Sequence, residues 1–236
     1  MTPAEAPPLR RIVWTPSWRI IPSRFPPINL FERVAEPADW EAVIEIESLT
    51  NPRLRDEAGD ISLVPVAERV SGPGASAIMA AFTHPNPAGS RFSDGTYGAF
   101  YAARSLDTAI AETRYHRERF LRDTNEAPIH LDMRVYLTDL DGRLHDVRKQ
   151  QASAPLLYHP EDYTASQRLG RTLRAAGSDG IVYASVRHKG GKDGKDGECV
   201  AVFRPRVLSN CRQERHLSYV WDGTRIRDVY EKKALD

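Results

Sequence analysis

The segment from Gly89 to Glu112 constrains this chain more than any other, because it demands a turn, a strand and a helix in immediate succession. Gly89-Ser90-Arg91-Phe92 reads as a turn bearing an arginine. Phe100-Tyr101-Ala102-Ala103 is aromatic and small, as a packed strand requires. Ser105 then stands as the N-cap of a helix predicted over about Leu106 to Leu121, with Leu106, Ala109, Ile110, Thr113 and Phe120 on one face. Glu112 lies at the edge of that stripe, where a carboxylate meets a cleft without being sunk in the core. A single loop–strand–helix unit thus carries a cation (Arg91), an aromatic ring (Tyr101) and an anion (Glu112) towards one place. Such a set suits binding and splitting a dinucleotide without a metal.

The rest of the chain supports an α+β reading: a single domain with a mainly antiparallel sheet and flanking helices. Residues 1–9 are rich in Pro and Ala and read as a loose tail, ahead of a domain over 10–236. Arg11 to Ile21 is β-branched and aromatic, ends at Pro22, and leads into a turn at Ser23-Arg24-Phe25-Pro26-Pro27. A helical insertion is predicted at about 35–88, with one helix from Pro37 through Trp40, Val43 and Ile44 and another from Ala75 to Phe82. Ile129–Leu140 reads as a strand, Asp141-Gly142 as a turn, and Leu144–Val147 as the next strand. Residues 164–176 look helical, with Thr164 and Gln167 fitting a capping box. Gly180–Val186 and Glu198–Phe203 are strands, and His216–Trp221 with Thr224–Tyr230 form a closing hairpin.

Composition excludes several classes. Apolar residues at 41% and charged residues at 28% are ordinary for a globular domain. Lys and Arg total 33 against 32 acids, so no overall charge draws the chain to nucleic acid or to an acidic membrane. Two cysteines make no disulfide framework and fit no zinc spacing, and no signal peptide or membrane-length apolar run is seen; a cytoplasmic protein is expected. The seven histidines contain no zinc-binding motif. The loop Gly190–Gly197 lacks the phosphate-loop and calcium-loop patterns.

Each candidate residue also has an ordinary structural role open to it. Glu112 either stabilises an oxocarbenium-like ribose or pairs with Arg114, Arg117 or Arg119 on the helix surface. Arg91 either holds a pyrophosphate by a bidentate contact or caps the Ser93-Asp94-Gly95 turn. Tyr101 either stacks on nicotinamide, or donates to a ribose, or is a plain sheet aromatic. Arg19 and Arg24, around Ile20-Ile21-Pro22, either approach a second phosphate or are solvated strand-end charges. Ser185 and Arg187 alternate along a predicted strand, and so share a side that suits a ribose and a phosphate or is simply a polar edge.

Taken together, Trp18-Arg19-Ile20-Ile21, Gly89-Ser90-Arg91-Phe92, Phe100-Tyr101-Ala102-Ala103, Thr108-Ala109-Ile110-Ala111-Glu112 and Tyr183-Ala184-Ser185-Val186-Arg187 resemble the RES domain. That domain is the toxin half of bacterial RES/Xre toxin–antitoxin modules. The resemblance runs from about residue 10 to 230, and Ser90 and Phe92 depart from the family's second glycine and its tryptophan. The long insertion is similar to that of the larger, ParT-like subgroup. The resemblance implies a fold similar to ADP-ribosyltransferase toxins, NAD+ as substrate with no metal, and an Xre-type antitoxin partner. It implies site roles for Arg91, Tyr101 and Glu112, for Ser185 with Ser166 as a rival, and for one of Arg19, Arg24 or Arg33. Members act as mono-ADP-ribosyltransferases on a cellular protein, or as NAD+ glycohydrolases or phosphorylases.

Two other functions compete. The basic runs Arg114–Arg122 and Arg204–Arg215, interleaved with Tyr115 and Phe120, suit a nucleic-acid-binding protein; under the toxin reading nucleic acid is met only through the antitoxin. A non-catalytic module that binds a protein partner is the other.

Overall fold

Two long strands organise the molecule. In the computed structural model, which describes residues 6–23, 32, 36–48, 58–190 and 197–233, β1 (Leu9–Pro22) pairs antiparallel with β3 (Ile129–Asp146) along almost its whole length. The other elements are α1 (Trp40–Ser48), α2 (Ala75–Thr83), β2 (Phe100–Ala103), α3 (Leu106–Asp123) and α4 (Thr164–Ala175). They are completed by β4 (Gly180–Ala184), β5 (Glu198–Val202), β6 (Leu208–Trp221) and β7 (Ile226–Lys232). The seven strands run in the order β1-β2-β5-β4-β3-β6-β7, and all pairs are antiparallel except β3–β4. Because β1 also pairs with β3, five strands close into a ring, from which the β6–β7 hairpin extends. Among the described residues no helix is long and apolar enough to cross a membrane.

Alternation along the strands feeds two separate cores. Phe100, Ala102, Val182, Val200 and Val202 enter one, covered by Ile78, Met79 and Phe82 of α2. Ala103, Ile181, Tyr183, Cys199 and Ala201 enter the other, covered by Ala109 and Leu121 of α3 and Leu173 of α4. On β1 the pairing with β3 shifts register between Trp14 and Ser17. A bulge of this kind exchanges the faces of the strand. Ile12 and Trp14 accordingly point into the first core, while Trp18 and Ile20 meet the second.

Between β1 and β2 the described residues form α1, α2 and three short 3-10 turns. Buried Arg69 ties α1 to the 3-10 turns, donating to the carbonyls of Val64 (3.0 Å) and Pro37 (3.0 Å) and to the Glu41 carboxylate (2.5 Å). The tail at 1–5, most of the turn at 23–27, residues 49–57 of the insertion and loop residues 191–196 lie outside the described residues.

Three local expectations are corrected. Asp141-Gly142 is no turn: β3 runs straight through it, because Val13 and Ile12 of β1 pair with these two residues and Arg11 bonds the Asp141 carboxylate (2.6 and 2.8 Å). On α3 it is Leu121, not Phe120, that is buried; Phe120 is 43% exposed. The last turns of this helix face the β6–β7 hairpin, where Glu118 accepts from the Ile226 amide (2.8 Å), so a different arc points inward there. The capping box at Thr164 does not form. Asp162 accepts from the Thr164 amide (2.9 Å), and Gln167 turns instead to the carbonyls of Ser90 (3.0 Å) and Ser93 (3.3 Å).

Helix α4 lies so close to the 90–93 loop that a Cβ on Gly170 would overlap the Phe92 carbonyl. An exposed helical Gly→Ala change gains up to about 1 kcal/mol. Here backbone would meet backbone, and Gly170→Ala is expected to cost about 1–3 kcal/mol instead. A thermal melt reads the sign: a lowered Tm is expected, and a raised one would show that α4 does not depend on this close approach.

Candidate active site

Glu112 occupies the second turn of α3, a helix started by the Ser105 side chain accepting from the Thr108 amide (3.3 Å). Strand β2 delivers this helix beside β4, because both strands pair with β5. At the exit of β4 the backbone turns, and buried Ser185 donates its hydroxyl to Glu112 Oε1 at 2.6 Å. The same hydroxyl accepts from the amides of Arg187 (3.0 Å) and His188 (2.9 Å), which fixes its proton towards the carboxylate. Burial raises the pKa of Glu112; the Ser185 hydrogen bond and the charges of Arg91 and Arg187 act against it. The surface pairing open to Glu112 is not made with Arg114 or Arg119, which bond Glu118 and Asp123.

Arg91 comes to this carboxylate from the loop that precedes β2, and it is only 7% exposed. Its Nη1 donates to the carbonyls of Leu157 (3.1 Å) and His159 (3.1 Å), and its guanidinium lies over the Tyr163 ring at 4.6 Å. The Ser93-Asp94-Gly95 turn is served by Arg171, which pairs with Asp94, and by the Ser93 hydroxyl donating to Tyr97 O. Tyr101 holds the loop in place. Its hydroxyl bonds Ser90 Oγ (2.8 Å) and accepts from the Phe92 amide (2.9 Å), and burial pushes its pKa up to about 12. The Tyr101 hydroxyl is therefore occupied by the Arg91 loop, where the sequence suggested a donor to ribose.

The remaining sequence candidates separate clearly. Ser166 is buried in α4 and donates to Tyr163 O (3.0 Å); Ser185 is the serine bonded to Glu112. Arg19 points the other way. The β1 bulge leaves it on the first-core face, stacked on Phe100 at 4.5 Å and donating to Tyr101 O (2.9 Å). Arg24 and Arg33 lie outside the described residues. Arg187 joins the group from the turn after β4 rather than from a strand face, since β4 ends at Ala184. Its guanidinium sits 3.3 Å from the centre of the Tyr115 ring, and its Nη2 donates to Pro160 O.

Sequence reasoning placed Tyr115 only in a basic run, and missed Tyr163 and the carbonyls of Leu157, His159 and Pro160. Tyr115 is three residues beyond Glu112, so helical spacing could have found it. The others come from a distant segment with no local signal. The assembled group is a part-buried carboxylate held by a serine hydroxyl and flanked by two guanidiniums, each resting on a tyrosine. It can hold an anionic group and present a carboxylate to a developing cation. Among the described residues no group of three or more His, Cys, Asp or Glu side chains could hold a metal ion.

The protein y4oC of Sinorhizobium fredii (strain NBRC 101917 / NGR234), an uncharacterized protein, is 37% identical over 217 residues, covering 90% of this chain and 86% of its own length. Among solved structures, a chain of the M. tuberculosis MbcT-MbcA toxin-antitoxin complex is similar at 12% identity, with a TM-score of 0.48 over 89% of this chain and 86% of that one. The RES domain family model matches residues 66–222, which span Arg91, Tyr101, Glu112 and Ser185. This chain belongs to the RES domain family.

Proposed function

We propose that this protein is the toxin of a toxin–antitoxin pair that cleaves NAD+ at its nicotinamide–ribose bond and transfers the ADP-ribosyl group to a cellular protein. The observation that carries the reading is the 2.6 Å Ser185–Glu112 hydrogen bond between two guanidiniums. Cleaving this bond sends the electron pair to nicotinamide, which leaves neutral, and builds positive charge at C1′ of the ribose. Glu112 faces that charge. Ser185 holds Oε1, so Oε2 is the oxygen assigned to the ribose. Arg91 and Arg187 anchor the diphosphate and limit the motion of the sugar. A nucleophile of the acceptor then bonds C1′ and loses its proton. Nothing in these steps requires a metal.

The acceptor follows from access to C1′. Water gives a glycohydrolase and phosphate a phosphorylase, each of which depletes NAD+ without marking a protein. The basic runs give little support to a direct nucleic-acid role, since many of their arginines are spent internally. Arg204 bonds Glu68 (2.7 Å), Arg206 bonds Asp179 (3.1 Å) and Arg215 pairs with Glu214 and Glu231. The RES family resemblance supports an Xre-type antitoxin as the restraining partner, and the cytoplasm as the place of action.

Incubating the purified chain with labelled NAD+ and cell lysate tests the proposal. Nicotinamide release is expected, with label on a lysate protein, and Glu112→Gln is expected to lower the rate by about 10²–10³-fold, the usual loss of one electrostatic group. Free ADP-ribose or its phosphate in place of labelled protein would replace transfer with hydrolysis or phosphorolysis; no release at all would remove the enzymatic reading.

The same assay has a pH dependence whose sign follows from the site. The active form of Glu112 is the carboxylate, and burial raises its pKa, so activity should climb with pH through a midpoint above the ordinary carboxylate range. Ser185→Ala removes a hydrogen bond that favours the charged form. Its acid limb should therefore move to higher pH, with a rate lowered roughly tenfold at neutrality. A limb that stays in place or moves down would separate Ser185 from the ionisation of Glu112.

A further inference from the structure

Both cations beside Glu112 are occupied by one short segment. Arg91 donates to the carbonyls of Leu157 and His159, and Arg187 to that of Pro160. These arginines come from elements far apart in the chain, yet they grip residues 157–160 between them. The two ends of that segment are held very differently. Leu157 and Tyr158 pack on the second core, and the Tyr158 hydroxyl donates to Val147 O. His159, Pro160, Glu161 and Asp162 are exposed. Their other bonds are local, from the amides of Glu161 (3.2 Å) and Asp162 (2.7 Å) to His159 Nδ1 and from the Thr164 amide to the Asp162 carboxylate (2.9 Å).

The grip leaves the cations incompletely satisfied. Arg187 Nε is buried and makes no hydrogen bond among the described residues. A neutral carbonyl is a weak partner for a guanidinium, whose fork matches the paired oxygens of a phosphate. An orphaned buried N–H adds a cost that a better acceptor would relieve.

We propose that residues 159–162 form a strap over the diphosphate position, and that a dinucleotide diphosphate opens it by taking over Arg187 and the outer contact of Arg91. The inference rests on the NAD+ reading above and adds to it the segment that a bound diphosphate must displace from the two arginines. Phosphate oxygens replace the carbonyls of His159 and Pro160, while Leu157 remains on Arg91 as the fixed end. The carboxylate of Glu161, at the exposed crest, is repelled by the bound diphosphate and favours the open position, while Asp162 stays on the Thr164 amide as the hinge side.

Hydrogen–deuterium exchange of the full chain, with ADP-ribose as the probe, tests this. Saturating ADP-ribose should speed exchange in the peptide spanning 159–163 by roughly tenfold, the effect of losing one charge-assisted hydrogen bond. Arg187→Ala should do the same without ligand, while the amides of β4 and β5 stay protected. If that variant does not fold, Arg187→Lys, which loses the planar fork, takes its place with the same expected direction. Protection of the segment by ADP-ribose, or no change with it, overturns the strap; so does wild-type exchange in the arginine variant. Nicotinamide release from NAD+ by the same wild-type sample keeps the two ideas apart. Release without the exchange response refutes the strap alone. Faster exchange without release keeps the strap as a binding device and removes catalysis; neither signal refutes both.

Discussion

Everything at the candidate site depends on β1 making hydrogen bonds along both edges. By pairing with β3 on one side and meeting β2 at Trp18–Ala103 on the other, it closes five strands into a ring. A closed ring has a fixed strand order, so β2, β5 and β4 cannot splay apart. That adjacency is what sets α3, which follows β2, against the turn that follows β4. Glu112 and Ser185 are 73 residues apart in sequence and meet only because of it. The ring also divides the apolar side chains into two cores, and the site forms on the face of the second.

The polar chemistry there is a balance between burial and neighbours. Removing a carboxylate from water costs several kcal/mol if nothing compensates. Glu112 is compensated by one short hydrogen bond and by two positive charges, and burial still wins in the direction of its pKa. Two guanidiniums near one another also repel. Here each is spread over an aromatic face, Arg91 on Tyr163 and Arg187 on Tyr115, a contact worth about 0.5–2 kcal/mol in its own right. The cations are thereby kept separate and their positions defined. Tyr101 contributes through geometry: its hydroxyl ties both Ser90 and Phe92, and so sets the residue between them, Arg91.

Much of this was legible in the chain. Strand β2, the Ser105 cap and the helix carrying Glu112 follow from local spacing, because capping and periodicity act within a few residues. Local rules failed where a partner from elsewhere intervened. Asp141-Gly142 has turn chemistry, yet pairing with β1 on one edge keeps it extended. Gln167 has the spacing of a capping residue, yet its amide reaches the carbonyls of the 90–93 loop. Arg19 carries the motif pattern, but the register shift between Trp14 and Ser17 turned it towards Phe100. No periodicity argument counts through a bulge correctly unless the bulge is known.

By itself, the sequence determined which residue types are present and which short elements carry them: a turn with Arg91, a strand with Tyr101, a helix with Glu112, and a serine near the end of a later strand. It also carried the family, since that is written in ordered local motifs. Only the tertiary structure decided which of these residues meet. It brought Ser185, and not Ser166, to Glu112, set Arg19 apart from that group, recruited Arg187, and laid the carbonyls of Leu157, His159 and Pro160 across both cations. The reason is physical. Propensity, capping and spacing are short-range and can be read along the chain. Hydrogen bonds and charge pairs between distant elements depend on strand order and register, which are fixed only when the ring closes and both cores are packed.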